Sequence, residues 1–305
     1  MLKIIRHNLD IYFMILACLN FAFMGACAKI LSDEMSSIEI MFFRNICGII
    51  FLSYMIFKHK AHRGGGHLGL LIFRGVMGTI ALYMFFYNIA NISLGGAFAF
   101  QKTGPIFIAI ISFFLFKENI GLKGGIAILI AFLSVLLIFQ PWANTHNHTG
   151  IDLKNSCIGL LSGFLGALAL TSVRQLRKYY PTEIIALSFV FLGTILPLFS
   201  MIIAEFYAPN ELDFLIAKFK MPSSFVSWVL LAIIGILGTL YQIQVTKAYG
   251  VAKKAGVIAG ISYMDVVFSL ILGMFLGDDL PSFMVFIGII GIILSGLLLA
   301  KKGKK

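Results

Sequence analysis

Five ionisable side chains fall inside long apolar runs of this sequence: Lys29, Arg44, Arg74, Lys102 and Asp265. A Lys, Arg or Asp at the centre of a membrane helix costs about 2.5–3.5 kcal/mol on insertion scales. Such groups must line water, pair with one another or reach a headgroup layer. Depth separates them. Lys29 stands two residues from the end of its run and is expected to snorkel. Arg44 and Arg74 lie nearer the ends of their runs, where each could cap carbonyls or reach headgroups. Lys102 and Asp265 lie deepest. There, a lysine can hold an anionic group, and a carboxyl can hold an amine or a transported proton. Burial favours the neutral carboxyl and a lysine neighbour favours the carboxylate. The alternative is a structural Lys102–Asp265 pair, and both readings stand at this point.

Neutral polar groups supply further candidates for the wall of a binding pocket. Asn20 is mid-run, and Tyr83 and Tyr87 are four residues apart, so they share a helix face. Gln101 adjoins Lys102, and Tyr263 precedes Asp265 by two. Gln242 and Gln244 cannot share a face, so at most one of them lines a pocket. Each alone is equally a helix–helix hydrogen bond. Together they suit an amphipathic solute with a planar or zwitterionic part. Pro105 and Pro197 fall mid-run, where each breaks a backbone hydrogen bond and is either a hinge or a static bend.

The elements that must position these groups follow from composition. Hydrophobic residues make up 60 % of 305, charged residues 12 %, and the mean hydropathy is +0.98. Soluble chains carry about 25 % charged residues, so lipid is the solvent here. Ten runs are long enough to cross it: roughly 11–31, 38–57, 69–90, 95–116, 124–140, 156–173, 184–205, 225–246, 256–276 and 281–300. The runs are continuous rather than alternating, which excludes a β-barrel. Most breaks carry turn chemistry, as in Gly277-Asp278-Asp279-Leu280-Pro281. The first run is too long for an ordinary signal peptide core, although Ala26-Cys27-Ala28 resembles a cleavage site. Glu39 and Glu205 sit at run edges, within reach of water.

With the N-terminus inside, 17 of the Lys and Arg residues fall on the cytoplasmic side and 3, Lys154, Lys218 and Lys220, on the other. That asymmetry places both termini in the cytoplasm. It also accounts for the formal charge of +11 by anionic headgroups rather than nucleic acid. Trp142 and Trp228 fall at the outer interface. Cys18, Cys27, Cys47 and Cys157 all lie within runs and are expected as small buried hydrophobes. His146-Asn147-His148 offers two ligands without a third, so no metal and no cofactor is expected.

The chain also resembles itself. The run from Gly104 to Glu118 and the run from Met264 to Asp278 match in apolar content, acidic turn and following span at an offset of 160 residues. Five spans separate them, so the second copy is inverted. This is the arrangement of carriers built from two inverted halves, with substrate near the midplane. The halves would be 1–145 and 146–305.

One stretch runs from Phe73-Arg74-Gly75 through Tyr83 and Tyr87 to Gln101-Lys102-Thr103-Gly104-Pro105, followed by Phe116-Lys117-Glu118. It resembles the EamA-type repeat of the drug/metabolite transporter superfamily. Glu39-Ile40 through Phe43-Arg44-Asn45 is similar to the second helix of that repeat, and Ser262-Tyr263-Met264-Asp265 to the second-half counterpart of the Pro105 region. The chain departs from the family at Asp278-Asp279, where one Glu is usual, and carries Asp265 where the first repeat has Pro105. The resemblance implies an all-α integral membrane carrier of ten helices in two inverted five-helix repeats. It favours structural or gating roles for Arg44 and Arg74, and it names no substrate.

The sequence has no His in any run, no His-Glu-x-x-His, no Gly-x-Ser-x-Gly and no Walker loop. An enzyme and an ATP-driven pump are therefore not expected, and no filter motif suggests a channel. The expected function is secondary transport of a small organic metabolite or drug across the inner membrane by alternating access. The driving force would be the solute gradient, exchange or a coupled ion, H⁺ foremost. The alternatives are a flippase for a lipid or lipid-linked sugar and a sensor without flux. The expected partners are a small-molecule solute and the bilayer, with no nucleic acid.

Overall fold

The computed structural model describes residues 9–59, 65–92, 94–117, 121–139, 153–207, 212–252, 255–276 and 283–301. The acidic turns at Glu118 and Asp278, Trp142 and the His146–His148 run lie outside them. Among the described residues there are twelve α-helices and no strand. They are α1 Leu9–Leu31, α2 Ser37–His59, α3 Leu68–Asn91, α4 Leu94–Gln101, α5 Gly104–Phe116, α6 Gly121–Phe139, α7 Leu153–Leu176, α8 Thr182–Phe206, α9 Phe225–Val251, α10 Ala255–Ile261, α11 Met264–Phe275 and α12 Phe283–Lys301. Six are long and apolar enough to cross a membrane: α1, α2, α3, α7, α8 and α9.

The runs 95–116 and 256–276 are not single helices. The first is α4 and α5, parted by Lys102-Thr103; the second is α10 and α11, parted by Ser262-Tyr263. Pro105 explains the first break, because it has no N–H to give the carbonyl of Gln101. It therefore falls in the first turn of α5, where the missing donor costs little, rather than mid-helix. Gly256, Gly260 and Ser262 weaken the second run as a helix. Each break is one tight turn. Thr103 N–H donates to Phe100 O at 3.0 Å and Tyr263 N–H to Gly260 O at 3.3 Å, so the backbone stays hydrogen-bonded.

Small residues let the helices close up. Gly163 of α7 has no room for a Cβ beside Thr103, and Gly159 none beside Phe100, so α7 lies tight against the first break. An aromatic triangle joins α1, α3 and α4: Phe21, Phe85 and Phe98 have ring centroids 5.0–5.2 Å apart. Tyr241 of α9 stacks on Phe21 at 4.4 Å. Such pairs contribute about 0.5–1.5 kcal/mol each beyond their buried area. Around this centre α1 packs along α9, α3 along α7, α2 against α8 and α6 against α12.

One end of the bundle is closed by polar bonds. Ser36 caps α2 and Glu39 answers it: Ser36 N–H donates to Glu39 Oε2 at 2.9 Å, and Glu39 N–H to Ser36 Oγ at 3.3 Å. This is a capping box. Glu39 also accepts the backbone N–H of Lys220. It is therefore buried rather than water-accessible, because residues 212–224 fold over it. Lys29, in the last turn of α1, is half-buried. Its Nζ donates to Ile89 O at 2.9 Å and Ile92 O at 3.1 Å, closing the last turn of α3.

Pro197 lies inside α8, and α8 continues through it. Its missing N–H leaves the carbonyl of Gly193 without an intrahelical donor. Asn45 of α2 supplies the replacement, with Nδ2 donating to Gly193 O at 2.6 Å. A Cβ on Gly193 would clash with that amide. The position is thus a cross-linked joint between α2 and α8. Asn45→Ala is expected to cost about 1–3 kcal/mol through the orphaned carbonyl. Pro197→Ala restores a backbone donor there, so it should be more favourable by about 1 kcal/mol in the Asn45→Ala background than in the wild type. Thermal unfolding of the four proteins in detergent measures this; independent effects would contradict the joint.

Candidate functional site

The breaks bring the two deepest charges together. Lys102 occupies the turn between α4 and α5, and Asp265 opens α11. Lys102 Nζ lies 2.6 Å from Asp265 Oδ2, with side-chain exposures of 7 % and 2 %. Lys102 Nζ also donates to Ser262 Oγ at 3.4 Å, across 160 residues of sequence. Asp265 Oδ1 has no hydrogen-bond partner among the described residues. Among the described residues, therefore, one oxygen of this carboxyl is held and the other is buried without a hydrogen-bond partner.

A cavity of about 40 Å³ lies between α1, α5, α7 and α9. Gln101, Lys102, Ser262 and Asp265 form its polar side together with Tyr241 and Tyr249 of α9. Met14, Cys18, Ile108, Leu170 and Val245 supply an apolar side, and Gly163 and Gly166 of α7 complete the lining. Cys18 Sγ donates to Ser262 O at 3.6 Å, which ties α1 to the second break. One charged pair, a few neutral polar groups and an apolar wall suit a small amphipathic solute. Among the described residues no cluster of three His, Cys, Asp or Glu side chains could hold a metal.

Of the residues singled out in the sequence, Lys102, Asp265 and Gln101 meet at the cavity. The others are placed elsewhere. Asn20 Nδ2 donates to Gln244 Oε1 at 2.8 Å, joining α1 to α9. Gln242 Oε1 accepts from Arg74 Nη2 at 2.8 Å. Tyr83 shares a 3.3 Å hydrogen bond with Ser200 of α8. Tyr87 Oη donates to Asp213 Oδ2 at 3.0 Å, and Lys154 lies 2.7 Å from Asp213 Oδ1, so this tyrosine belongs to the closed end. Tyr263 is buried in the second turn, and its hydroxyl has no partner among the described residues. Arg44 and Arg74 sit over the ring of Phe189 at 5.7 and 4.7 Å.

Sequence reasoning missed Tyr241, Tyr249, Cys18 and Ser262. Two signals pointed to all of these but Cys18. The 160-residue offset maps Lys102 onto Ser262, and Tyr241, Val245 and Tyr249 recur at helical spacing on one face of α9.

Removing one member of the ion pair strands the other. Lys102→Met should cost about 3–5 kcal/mol, whereas Lys102→Met with Asp265→Leu should recover most of that loss. Thermal unfolding in detergent decides it; a double variant as unstable as the single one would contradict the pairing.

Comparison with known proteins fits the geometry. The profile of the EamA-like transporter family matches residues 8–140. A protein called an uncharacterized transporter from Helicobacter pylori (strain J99) is 34 % identical over 94 % of this chain and 92 % of its own. The pseudopaline exporter CntI of Pseudomonas aeruginosa (strain UCBPP-PA14) is 25 % identical over 95 % of each chain. Solute carrier family 35 member G1 of Mus musculus is 25 % identical over 85 % of this chain and 69 % of its own. A solved crystal structure at 13 % identity shares the fold, with a TM-score of 0.74 over 98 % of this chain and 99 % of that one. The relatives are transporters, the helices are those of a multi-pass membrane protein, and the chain belongs to the EamA-like transporter family of the drug/metabolite transporter superfamily.

Proposed function

We propose that this protein is a secondary carrier for a small organic solute, working by alternating access between two inverted five-helix halves in the inner membrane. The observation that carries this reading is the Lys102–Asp265 contact, made between two interrupted spans at equivalent positions. Interrupted helices at matching places in two halves mark the substrate site of carriers.

The arrangement of helices supports it. Joining α4 to α5 and α10 to α11 makes ten spans, five before and five after residue 145. Breaks at 102–103 and 262–263 keep the 160-residue offset. Packing also pairs up when the halves are exchanged. The α1–α9 contact corresponds to α7–α3, α2–α9 to α8–α3, and α1–α11 to α7–α5. The α2–α8 and α6–α12 contacts map onto themselves, as contacts on a two-fold axis must. Loop charge puts both termini in the cytoplasm.

In this reading Asp265 receives a solute amine or a proton, and Lys102 a solute anion. Either event loosens the pair and frees the halves to rock. The names exporter and solute carrier among the relatives favour a soluble organic cargo. H⁺ is the coupling ion that a carboxyl at the site could serve.

The test is flux in proteoliposomes loaded with a panel of anionic, cationic and zwitterionic organic solutes, with and without a pH gradient. Saturable flux of at least one solute is expected. Lys102→Gln with Asp265→Asn keeps volume and hydrogen bonding while removing both charges. Losing a buried, hydrogen-bonded charge contact is worth about 2–5 kcal/mol, so flux at low solute should fall by about thirtyfold or more with the melting temperature little changed. Undiminished flux in that variant would refute the site.

A further inference from the structure

The bundle interior holds a second set of charges that the ion pair does not neutralise. Arg44 of α2 and Arg74 of α3 are each 1 % exposed. Neither forms an ion pair among the described residues, where the salt bridges are Lys102–Asp265 and Lys154–Asp213. Their partners are neutral. Arg44 donates from Nη1 to Asn45 Oδ1 at 2.8 Å and from Nη2 to Gly238 O at 3.3 Å. Arg74 donates from Nη2 to Gln242 Oε1. The Nε of each is buried and has no hydrogen-bond partner among the described residues.

The two guanidinium groups share one aromatic contact, the ring of Phe189, at 5.7 and 4.7 Å. They can therefore be no further apart than the sum of those two ring distances. Their seats are built. A Cβ on Gly238 would collide with Arg44, and a Cβ on Gly78 with Arg74 and Phe189. The seats lie outside the cavity lining but on a face of α9 that reaches it. Gly238, Tyr241, Gln242 and Val245 follow one another at helical spacing along α9, and Tyr241 and Val245 line the cavity beside Asp265.

Two guanidinium forks with no carboxylate make a cationic centre in a low-dielectric interior. Neutral acceptors and an aromatic ring orient such groups without cancelling their charge. A planar or tetrahedral oxyanion matches the fork geometry and supplies the missing charge. We propose that Arg44 and Arg74 form an oxyanion-binding site that takes a carboxylate or phosphate group of the transported solute. That the oxyanion belongs to the cargo rests on the carrier reading; the site itself does not.

The test uses the full-length protein in detergent, titrated with inorganic phosphate, sulfate or acetate against sodium chloride of matched ionic strength. At least one oxyanion should give a saturable rise in melting temperature above chloride, reaching about 5 °C at a hundredfold excess over Kd. The rise should vanish in Arg74→Gln, shrink in Arg44→Gln and persist in Lys102→Gln. Gly78→Ala crowds the Arg74 guanidinium while keeping its charge, and serves if Arg74→Gln does not fold; it too should abolish the rise. No rise with any of the three anions overturns the proposal. So does a rise that survives the Arg74 or Gly78 change, or one that Lys102→Gln removes. An arginine-dependent rise in a protein without saturable flux would fault the carrier reading alone.

Discussion

Taking two charges out of water costs several kcal/mol each, and the attraction between Lys102 and Asp265 offsets that only while both are held at bonding distance. Much of the surrounding structure follows from this requirement. The side chains can meet because each of two apolar runs is interrupted by a single turn at the right depth. The turns can be buried because their backbone groups are bonded within one turn, and, at the first of them, because α7 presents glycines where it packs. Cys18 and Ser262 then fix α1 to the second break. A pair so placed joins the first half of the chain to the second.

The arginines obey the same physics with a different outcome. Arg44 is tied through Asn45 to the carbonyl that Pro197 leaves open in α8, and Arg74 through Gln242 to α9. Both stay oriented, and both stay charged. Polar side chains that bridge α2, α3, α8 and α9 thus do two things at once. They satisfy backbone groups that a proline has freed, and they hold cationic groups at fixed positions beside a cavity. In the proposed carrier this preorganisation lowers the cost of receiving an anion, because no side chain has to be ordered at the moment of binding.

The helical, membrane-spanning character of the chain was legible in its apolar runs, and so was the importance of Lys102 and Asp265, because charge in an apolar run has few bland explanations. The family resemblance was likewise carried by residues visible in the sequence. The helix breaks were not legible. Pro105 signalled an interruption, but the second run has no proline, and hydropathy alone does not show a single turn inside an apolar segment. Side-chain direction was the other gap. Tyr83, Tyr87, Asn20 and Gln242 were sound as polar groups in apolar helices, yet their partners on α8, the 212–216 segment, α9 and α3 lie more than 100 residues away. Glu39 was misjudged because the Ser36-x-x-Glu39 capping pattern went unread and a distant loop covers it.

The central claim is that the cavity beside Asp265 opens to each side of the membrane in turn. Cys18 lines it and provides a native probe. Replacing Cys27, Cys47 and Cys157 leaves Cys18 as the single thiol, to be labelled with a membrane-impermeant maleimide in oriented vesicles, from one face and then the other. The account predicts labelling from both faces, each blocked by prior reaction from the opposite one. Labelling confined to one face, or to neither, would contradict it.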